Sequence, residues 1–203
     1  MRSPVAALLK SRTAQTHAQV EARLGLLDGP LTPQRLRAVI ARFAGFWPVA
    51  ERGVTYWAAR NPEAATALSW TRRRRSGILR ADLLALGLTG LELAQLPEVS
   101  PVFAATPDHA DVLGWLYVAE GSTLGGAVID RALRESAGPR LPRVATFTPY
   151  AEGPGPMWRA YLAFLAEWVG EDDTRAEAVA GSAQRSFAAL ADWLEPLRDE
   201  VAA

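Results

Sequence analysis

The sequence contains no cysteine, and this absence excludes several kinds of site. Without thiols the chain can form no disulfide, no iron–sulfur ligation, no thiolate zinc site and no cysteine nucleophile. Histidine is almost as scarce, because only His17 and His109 are present. A site that needs three imidazoles from one chain is therefore excluded. Two histidines also make the Glu/His ligand sets of a helical diiron site hard to assemble.

An excess of charge of either sign is also absent, because 22 Lys and Arg residues balance 22 Asp and Glu residues. A protein that binds nucleic acid generally shows a basic excess, so zero net charge disfavours that class. The most concentrated basic segment is residues 72–75, four consecutive arginines. A nucleic-acid patch and a docking surface for an acidic electron donor are two interpretations. Because adjacent residues of a helix point in different directions, we favour a solvated face.

Long hydrophobic runs are lacking too, since no stretch approaches the roughly 20 apolar residues that span a bilayer. The apolar run before Lys10 is too short for a signal peptide. We therefore expect no membrane span and a cytoplasmic location. The chain has 203 residues, of which 49% are hydrophobic and 22% are charged, close to the globular average. This length and composition predict a single domain over residues 1–203.

Apolar residues recur at helical spacing along most of the chain, and convincing two-residue alternation is absent, which predicts an all-α fold. A hydroxyl residue precedes a proline at Ser3, Thr32 and Thr106, a pair typical of the first turn of a helix. The first helix should stop at Gly25 and an Asp28-Gly29-Pro30 turn. The predicted helices are 4–24, 33–61 with a kink or interruption at Pro48, shorter segments over 61–96 broken at Gly77, Gly87 and Gly90, 107–137, 157–169 and 174–197. Residues 138–156, rich in proline and glycine, are predicted to be irregular.

Lys10, His17 and Glu21 lie on one face of the first predicted helix. Glu21 follows His17 by four residues, which places their β-carbons roughly 5–6 Å apart. A carboxylate there can accept the Nδ1–H of the imidazole and leave Nε2 free as a metal ligand. Lys10 precedes His17 by two turns, about 10.5 Å along the axis, which matches the width of a flat ligand with peripheral acids. On spacing alone, a half-exposed histidine in a salt-bridged helix is the more common explanation.

Three glycines, Gly121, Gly125 and Gly126, occur within six residues of the long helix predicted over 107–137. Each costs roughly 1 kcal/mol relative to alanine in a helix interior. Such glycines are retained where a helix bends or where another body approaches its backbone closely. Tight packing between helices, or a loop between two helices, is the structural alternative.

Two segments of the chain resemble a known family. Residues 9–21 (LKSRTAQTHAQVE) resemble the first-helix signature of heme oxygenases, and residues 121–126 (GSTLGG) resemble their glycine-bearing distal helix. Residues 117–126 are especially similar to the bacterial heme oxygenases found beside bacteriophytochromes. Chain length, helix count and the separation of the two motifs by about a hundred residues agree with this resemblance.

The resemblance implies a single-domain bundle of helices with heme between the first helix and a kinked distal helix. The implied activity is oxidative opening of heme to biliverdin, with release of carbon monoxide and ferrous iron. The reaction uses O2 and external electrons, supplied by a ferredoxin or a flavin reductase. Heme is then substrate and cofactor at once, and a bacteriophytochrome is a candidate receiver of the biliverdin. Neither nucleic acid nor a membrane is implied as a partner.

The resemblance also assigns roles to residues. It makes His17 the axial ligand of the heme iron, Glu21 the hydrogen-bond partner of that ligand, and Lys10 the partner of a heme propionate. The residues that let the distal helix lie against the porphyrin are Gly121, Gly125 and Gly126. The catalytic positions on that helix are Gly121, Ser122 and Gly125.

Some of these assignments depart from the family pattern or stay open. The best-known members carry an aspartate at the position of Ser122, where it orders waters; a serine can hold a water but carries no negative charge. Tyr117 is a further candidate heme contact, although an aromatic residue at helical spacing is more often part of the core. For the second propionate partner we favour Arg159 over Arg185.

Other classes remain to be weighed against the enzyme. A non-catalytic heme carrier with the same His17 pocket is the main alternative, and only turnover separates the two. A thiaminase-like hydrolase lacks its cysteine, and a diiron oxidase lacks its histidines. His109 falls in the opening turn of the long helix, where the helix dipole disfavours a cation. We expect it to be an exposed surface residue and not a second iron ligand.

Overall fold

The computed structural model describes residues 4–27, 32–103, 106–137 and 142–197. Within these ranges the chain forms nine α-helices, one 3-10 helix and no β-strand, so the all-α prediction is confirmed. The elements are α1 (Pro4–Leu24), α2 (Pro33–Arg60), α3 (Pro62–Ala67), α4 (Trp70–Arg73), α5 (Ser76–Ala85), α6 (Gly90–Ala94), α7 (His109–Ala137), α8 (Pro154–Val169), α9 (Asp173–Leu194) and the 3-10 helix Glu195–Leu197. The predicted cap at Ser3, the Asp28-Gly29-Pro30 turn and residues 138–141 of the predicted irregular connection lie outside the described residues.

Side-chain caps lie at the starts of α2 and α7. Thr32 accepts a hydrogen bond from the backbone N–H of Arg35 at 3.1 Å, as the Thr-Pro pair predicts. The corresponding prediction at Thr106 is wrong. There Asp108 accepts from the backbone N–H of Asp111 at 2.8 Å, and α7 begins at His109. Aspartate is among the best N-cap residues, so the helix starts after Asp108.

Pro48 does not interrupt α2, which is continuous from Pro33 to Arg60, whereas the alternative of a kink at Pro48 stays a prediction. A proline inside a helix removes one backbone N–H donor, and its ring clashes with the carbonyl group one turn earlier. Phe46, Trp47 and Val49, on either side of Pro48, are buried, and this packing holds the helix together. Tertiary contacts outweigh the local preference here.

The packing of the long helices α1, α7 and α9 determines where an internal space can form. α1 and α7 both pack on α9, α7 also packs on α8, and α2 packs on α5. By length and composition, residues 109–135 of α7 could cross a membrane, since they include an 18-residue segment with a mean hydropathy of 1.3, yet 56% of that segment is buried inside the fold. α7 is therefore a central helix of the bundle, and its faces line the internal site described below.

The arginine run at residues 72–75 is not a solvated face throughout, which corrects the sequence interpretation. Arg73 and Arg75 are 1% and 5% exposed, whereas Arg72 and Arg74 are exposed. The reason is that Arg74 has an extended backbone between α4 and α5, so neighbouring side chains alternate in direction instead of following a helix. The buried Nη1 of Arg73 lies 2.9 Å from the carboxylate of Glu120 on α7.

His109 is also more buried than the sequence predicts. Its ring stacks on Trp168 at 5.7 Å and meets Trp57 edge-on at 5.1 Å. Burial lowers the pKa of His109, although Asp108 acts in the opposite direction. The prediction of an exposed residue is wrong, because Trp168 reaches His109 from α8, far away in the sequence.

Tyr150 completes the buried network around Glu120 and makes stability depend on pH. Its hydroxyl donates to Glu120 at 2.8 Å. Burial, followed by the neighbouring Glu120 carboxylate, raises the pKa of Tyr150 to about 12 from its ordinary value of 10.0. The folded state therefore holds the proton more tightly than the unfolded state. The resulting stability is fully present below about pH 10 and is lost as the pH rises from about 10 through about 12.

We expect Tyr150→Phe to lower the free energy of unfolding by about 1–3 kcal/mol near neutral pH, because Glu120 loses a buried donor. The same variant should lose less further stability between about pH 8 and about pH 11 than the wild type. Tyr117 and Tyr161 also have raised pKa values, so the alkaline loss should be reduced and not abolished. Urea unfolding at the two pH values measures both effects, and an equal alkaline loss in the two proteins would contradict the assignment.

Candidate functional site

A cavity of about 550 Å³ lies between α1 and α7. Its walls are predominantly apolar, with a few polar groups, which is the usual make-up of a site for a small molecule or cofactor. The polar and charged side chains in the lining are Lys10, Thr13, His17, Glu21, Arg75, Tyr117, Ser122 and Thr146. The larger apolar ones are Val20, Leu24, Phe43, Trp47, Leu79, Val118, Leu124, Ile129, Phe147, Trp158, Phe187 and Leu190.

His17 faces this cavity from α1. It continues the stripe of buried residues that includes Leu9 and Thr13, yet its side chain is 51% exposed. The exposure follows from its position, because His17 lines the cavity. Nδ1 lies 3.4 Å from Oε2 of Glu21, and the ring meets Phe187 edge-on at 5.5 Å. These two contacts orient the ring and leave Nε2 available for a ligand.

Lys10 stands two turns before His17 and lines the same cavity. Its side chain is exposed and forms no hydrogen bond or ion pair with the described part of the chain. The ammonium group is therefore available to an anionic group at the edge of the cavity. This agrees with the predicted arrangement of Lys10, His17 and Glu21 along one face of α1.

The glycines of α7 fall into two kinds. Gly121 and Gly125 line the cavity, and a β-carbon added to either would meet no atom within 4 Å. The backbone of α7 is thus bare towards the cavity at these positions. Gly126 is different, because an added β-carbon would lie 2.2 Å from the carbonyl oxygen of Phe147. The structure uses Gly126 for close packing of the chain before α8 and does not bring it to the cavity.

Tyr117 connects the two sides of the cavity. It is half-buried on α7, and its ring lies 5.7 Å from that of Trp158. Burial raises the pKa of its hydroxyl, and the neighbouring Thr13 of α1 partly offsets this. Tyr117 therefore stays neutral at ordinary pH and presents a hydroxyl beside the cavity wall.

Neither arginine proposed as a second anion partner lines the cavity. Arg159 is exposed on α8, and its Nη1 lies 3.0 Å from the point where a β-carbon on Gly155 would be. Arg185 donates to Asp111 at 3.1 Å. The structure therefore does not place Arg159 with the other predicted site residues.

Arg75 lines the cavity instead, and sequence reasoning missed it. Its Nη1 donates to the hydroxyl of Ser122 at 3.0 Å, and its Nη2 donates to the carbonyl oxygen of Ala119. Ser122 in turn donates to the same carbonyl at 2.8 Å. The Ser122 hydroxyl is therefore committed to two partners. The arginine run at residues 72–75 is the sequence feature that points to this position, but periodicity cannot show which of its four side chains turns inward.

Two comparisons with known proteins bear on this site. The family model for heme oxygenase matches residues 3–196 of the chain. The chain is also similar to a protein named heme oxygenase from Xanthomonas campestris pv. campestris (strain 8004). The two sequences are 34% identical over 168 residues, which cover 81% of this chain and 88% of the relative.

Proposed function

The chain belongs to the heme oxygenase family, and we propose that the cavity between α1 and α7 is its heme site, with His17 as the axial ligand of the iron. The activity is the oxidative opening of heme to biliverdin, with release of carbon monoxide and ferrous iron, using O2 and external electrons. The match over residues 3–196 supports a single domain that spans residues 1–203.

The cavity fits a porphyrin in volume and in chemistry. Its volume of about 550 Å³ falls in the range of cofactor sites, roughly 300–1,000 Å³. Apolar walls suit the faces of the macrocycle, and a single imidazole suits its iron. The observation that carries the proposal is that Gly121 and Gly125 open into the same cavity that His17 lines from the other side. A flat ligand can then lie against the backbone of α7 with no side chain between.

The side chains of the chain have distinct tasks at this site. Heme, when bound, supplies the iron at which dioxygen reacts and the ring that is opened. His17 would hold the iron through Nε2, while Glu21 and Phe187 orient the imidazole ring. Lys10 pairs with a propionate at the rim. The apolar walls lower the local dielectric around a bound ligand, which strengthens polar interactions there.

A second propionate partner is not assigned to Arg159, because this residue lies outside the cavity lining. Apart from His17, the basic side chains that line the cavity in the described part of the chain are Lys10 and Arg75. Arg75 is almost fully buried and already bonded to Ser122 and Ala119. We therefore keep Lys10 as the propionate partner and give Arg75 a different task below.

We propose the partners from the resemblance of residues 117–126 to heme oxygenases found beside bacteriophytochromes. A ferredoxin or a flavin reductase would supply the electrons, and a bacteriophytochrome would receive the biliverdin. A cytoplasmic location fits these partners. Reconstituted turnover with each purified electron donor, followed by transfer of the product to an apo-bacteriophytochrome, tests both partners.

The test of the proposed function is a visible spectrum of the protein with one equivalent of hemin, followed by ascorbate or a reductase in air. We expect a histidine-ligated Soret band that decays while a broad absorbance grows in the red, as heme is opened to biliverdin. A Soret band that persists under turnover conditions would indicate a heme carrier. Absence of hemin binding would contradict the heme site itself.

A further inference from the structure

Two buried hydrogen-bond donors in the heme cavity have no partner. They are Nε of Arg75 and the indole Nε1 of Trp47, neither of which has an acceptor in the described part of the chain. Both side chains line the cavity, and they are only 5% and 4% exposed. Native proteins rarely leave buried donors unpaired, and such groups commonly mark the place of a bound water or ion. The pair therefore indicates an acceptor that occupies this end of the cavity.

The two donors belong to one cluster. The guanidinium carbon of Arg75 lies 5.9 Å from the centre of the Trp47 ring. Ser122 and Ala119 hold the guanidinium through Nη1 and Nη2, so its Nε edge is fixed in direction. A fixed donor loses little entropy when it binds an acceptor.

Two buried carboxylates lie near Arg75, and neither accepts a hydrogen bond from its Nε. Glu120 lies 3.6 Å from Arg75 and 2.9 Å from Arg73, so the two arginines share one carboxylate. Glu51 accepts from the backbone N–H of Arg75 and from Ser76. These two carboxylates balance the charges of Arg73 and Arg75, so the acceptor at Nε can be a neutral group. The Arg75 end of the cavity is therefore rich in donors without an excess of charge.

We propose that Arg75 and Trp47 form a donor site that holds a small acceptor, a water oxygen or a halide-sized anion, beside the heme on the α7 side. This inference rests on the proposed heme site. It also accounts for Ser122, whose hydroxyl is occupied by Arg75 and Ala119 and which carries no charge. A water that accepts from Arg75 and Trp47 uses its lone pairs on them and presents its own protons to the cavity. Arg75 is thus a positioning residue for this water.

The test uses fluoride as the probe, because it binds ferric heme and accepts hydrogen bonds. Fluoride dissociation constants are measured from the visible spectra of the ferric heme complexes of the wild type, Arg75→Gln, Arg75→Lys and Arg74→Gln. We expect the dissociation constant to rise roughly tenfold in Arg75→Gln and less in Arg75→Lys. Arg74→Gln is the matched control, because it removes an exposed arginine next to Arg75 and should leave the constant unchanged. An unchanged constant in Arg75→Gln would overturn the proposal.

A second variant covers the case in which Arg75→Gln does not fold. Trp47→Phe keeps a ring in the core and removes only the indole N–H, so the fluoride dissociation constant should rise by roughly threefold. An unchanged constant in Trp47→Phe would exclude the indole as part of the site. If hemin binds and biliverdin forms while both variants keep the wild-type fluoride dissociation constant, only the proposed donor site is contradicted. If hemin does not bind the wild type, the proposed heme site and the proposed donor site are both contradicted.

Discussion

Replacing His17 with alanine is expected to remove axial ligation and to reduce biliverdin formation by roughly 100-fold or more. Loss of a hydrogen-bond partner of a metal ligand already costs roughly 10–100-fold, so loss of the ligand itself should cost at least as much. The fold should survive, since the His17 side chain is 51% exposed and its contact with the exposed Glu21 adds little stability. Circular dichroism and thermal unfolding of the apo-protein check the fold, and the hemin spectrum checks ligation.

Two further variants make the result specific. Glu21→Gln should retain the histidine-ligated spectrum with a smaller loss of turnover, because it weakens only the contact that orients the ring. His109→Gln is the matched control for the other histidine, which lies between Trp57 and Trp168 and does not line the cavity. Its hemin spectrum should equal that of the wild type.

Added imidazole should restore ligation in His17→Ala. Turnover at the wild-type rate in that variant would contradict the assignment of His17.

The sequence predicts which residues of α1 line the cavity, because all of them belong to one helix. Lys10, His17 and Glu21 are related by helical spacing alone, and the structure places all three in the lining of one cavity. α1 itself has the predicted limits, Pro4–Leu24. A local periodicity is enough when every participant belongs to the same element.

The opposite side of the cavity depends on contacts that no local pattern encodes. Arg75 enters the site because Arg74 is extended between two short helices, and Ser122 meets it from a distant helix. The sequence favours Arg159 as the second propionate partner, yet Arg159 lies at an exposed position of α8. Composition cannot rank such arginines, since the chain offers many of them and their burial is set by tertiary packing. The helix through Pro48 fails to break for the same reason, because buried neighbours hold it.

The glycines of α7 show the same division within one helix. Close approach of another body and tight helix packing are the alternative explanations of Gly121, Gly125 and Gly126, and each explanation applies to some of them. Gly121 and Gly125 face open space in the cavity, whereas Gly126 lies against the backbone of Phe147. Which face of a helix meets a ligand and which meets the protein depends on the rest of the fold.

This division leads to opposite expectations for two neighbouring positions. Gly125→Leu should lower hemin affinity by roughly 100-fold, because the new side chain occupies the space that the ligand needs. The apo-protein should be about as stable as the wild type or more stable by about 1 kcal/mol, since leucine favours a helix over glycine. Hemin titration and urea unfolding measure the two quantities separately.

Gly126→Ala should do the reverse. A β-carbon there would lie 2.2 Å from the carbonyl oxygen of Phe147, so the chain before α8 must shift. We expect the free energy of unfolding to fall by about 1–3 kcal/mol, as for other overpacked sites, while the folded protein retains hemin affinity within a few-fold. Gly125→Leu can lower hemin affinity only if hemin occupies the space beside Gly125. A stable Gly125→Leu protein with unchanged hemin affinity would therefore show that the ligand does not lie against α7.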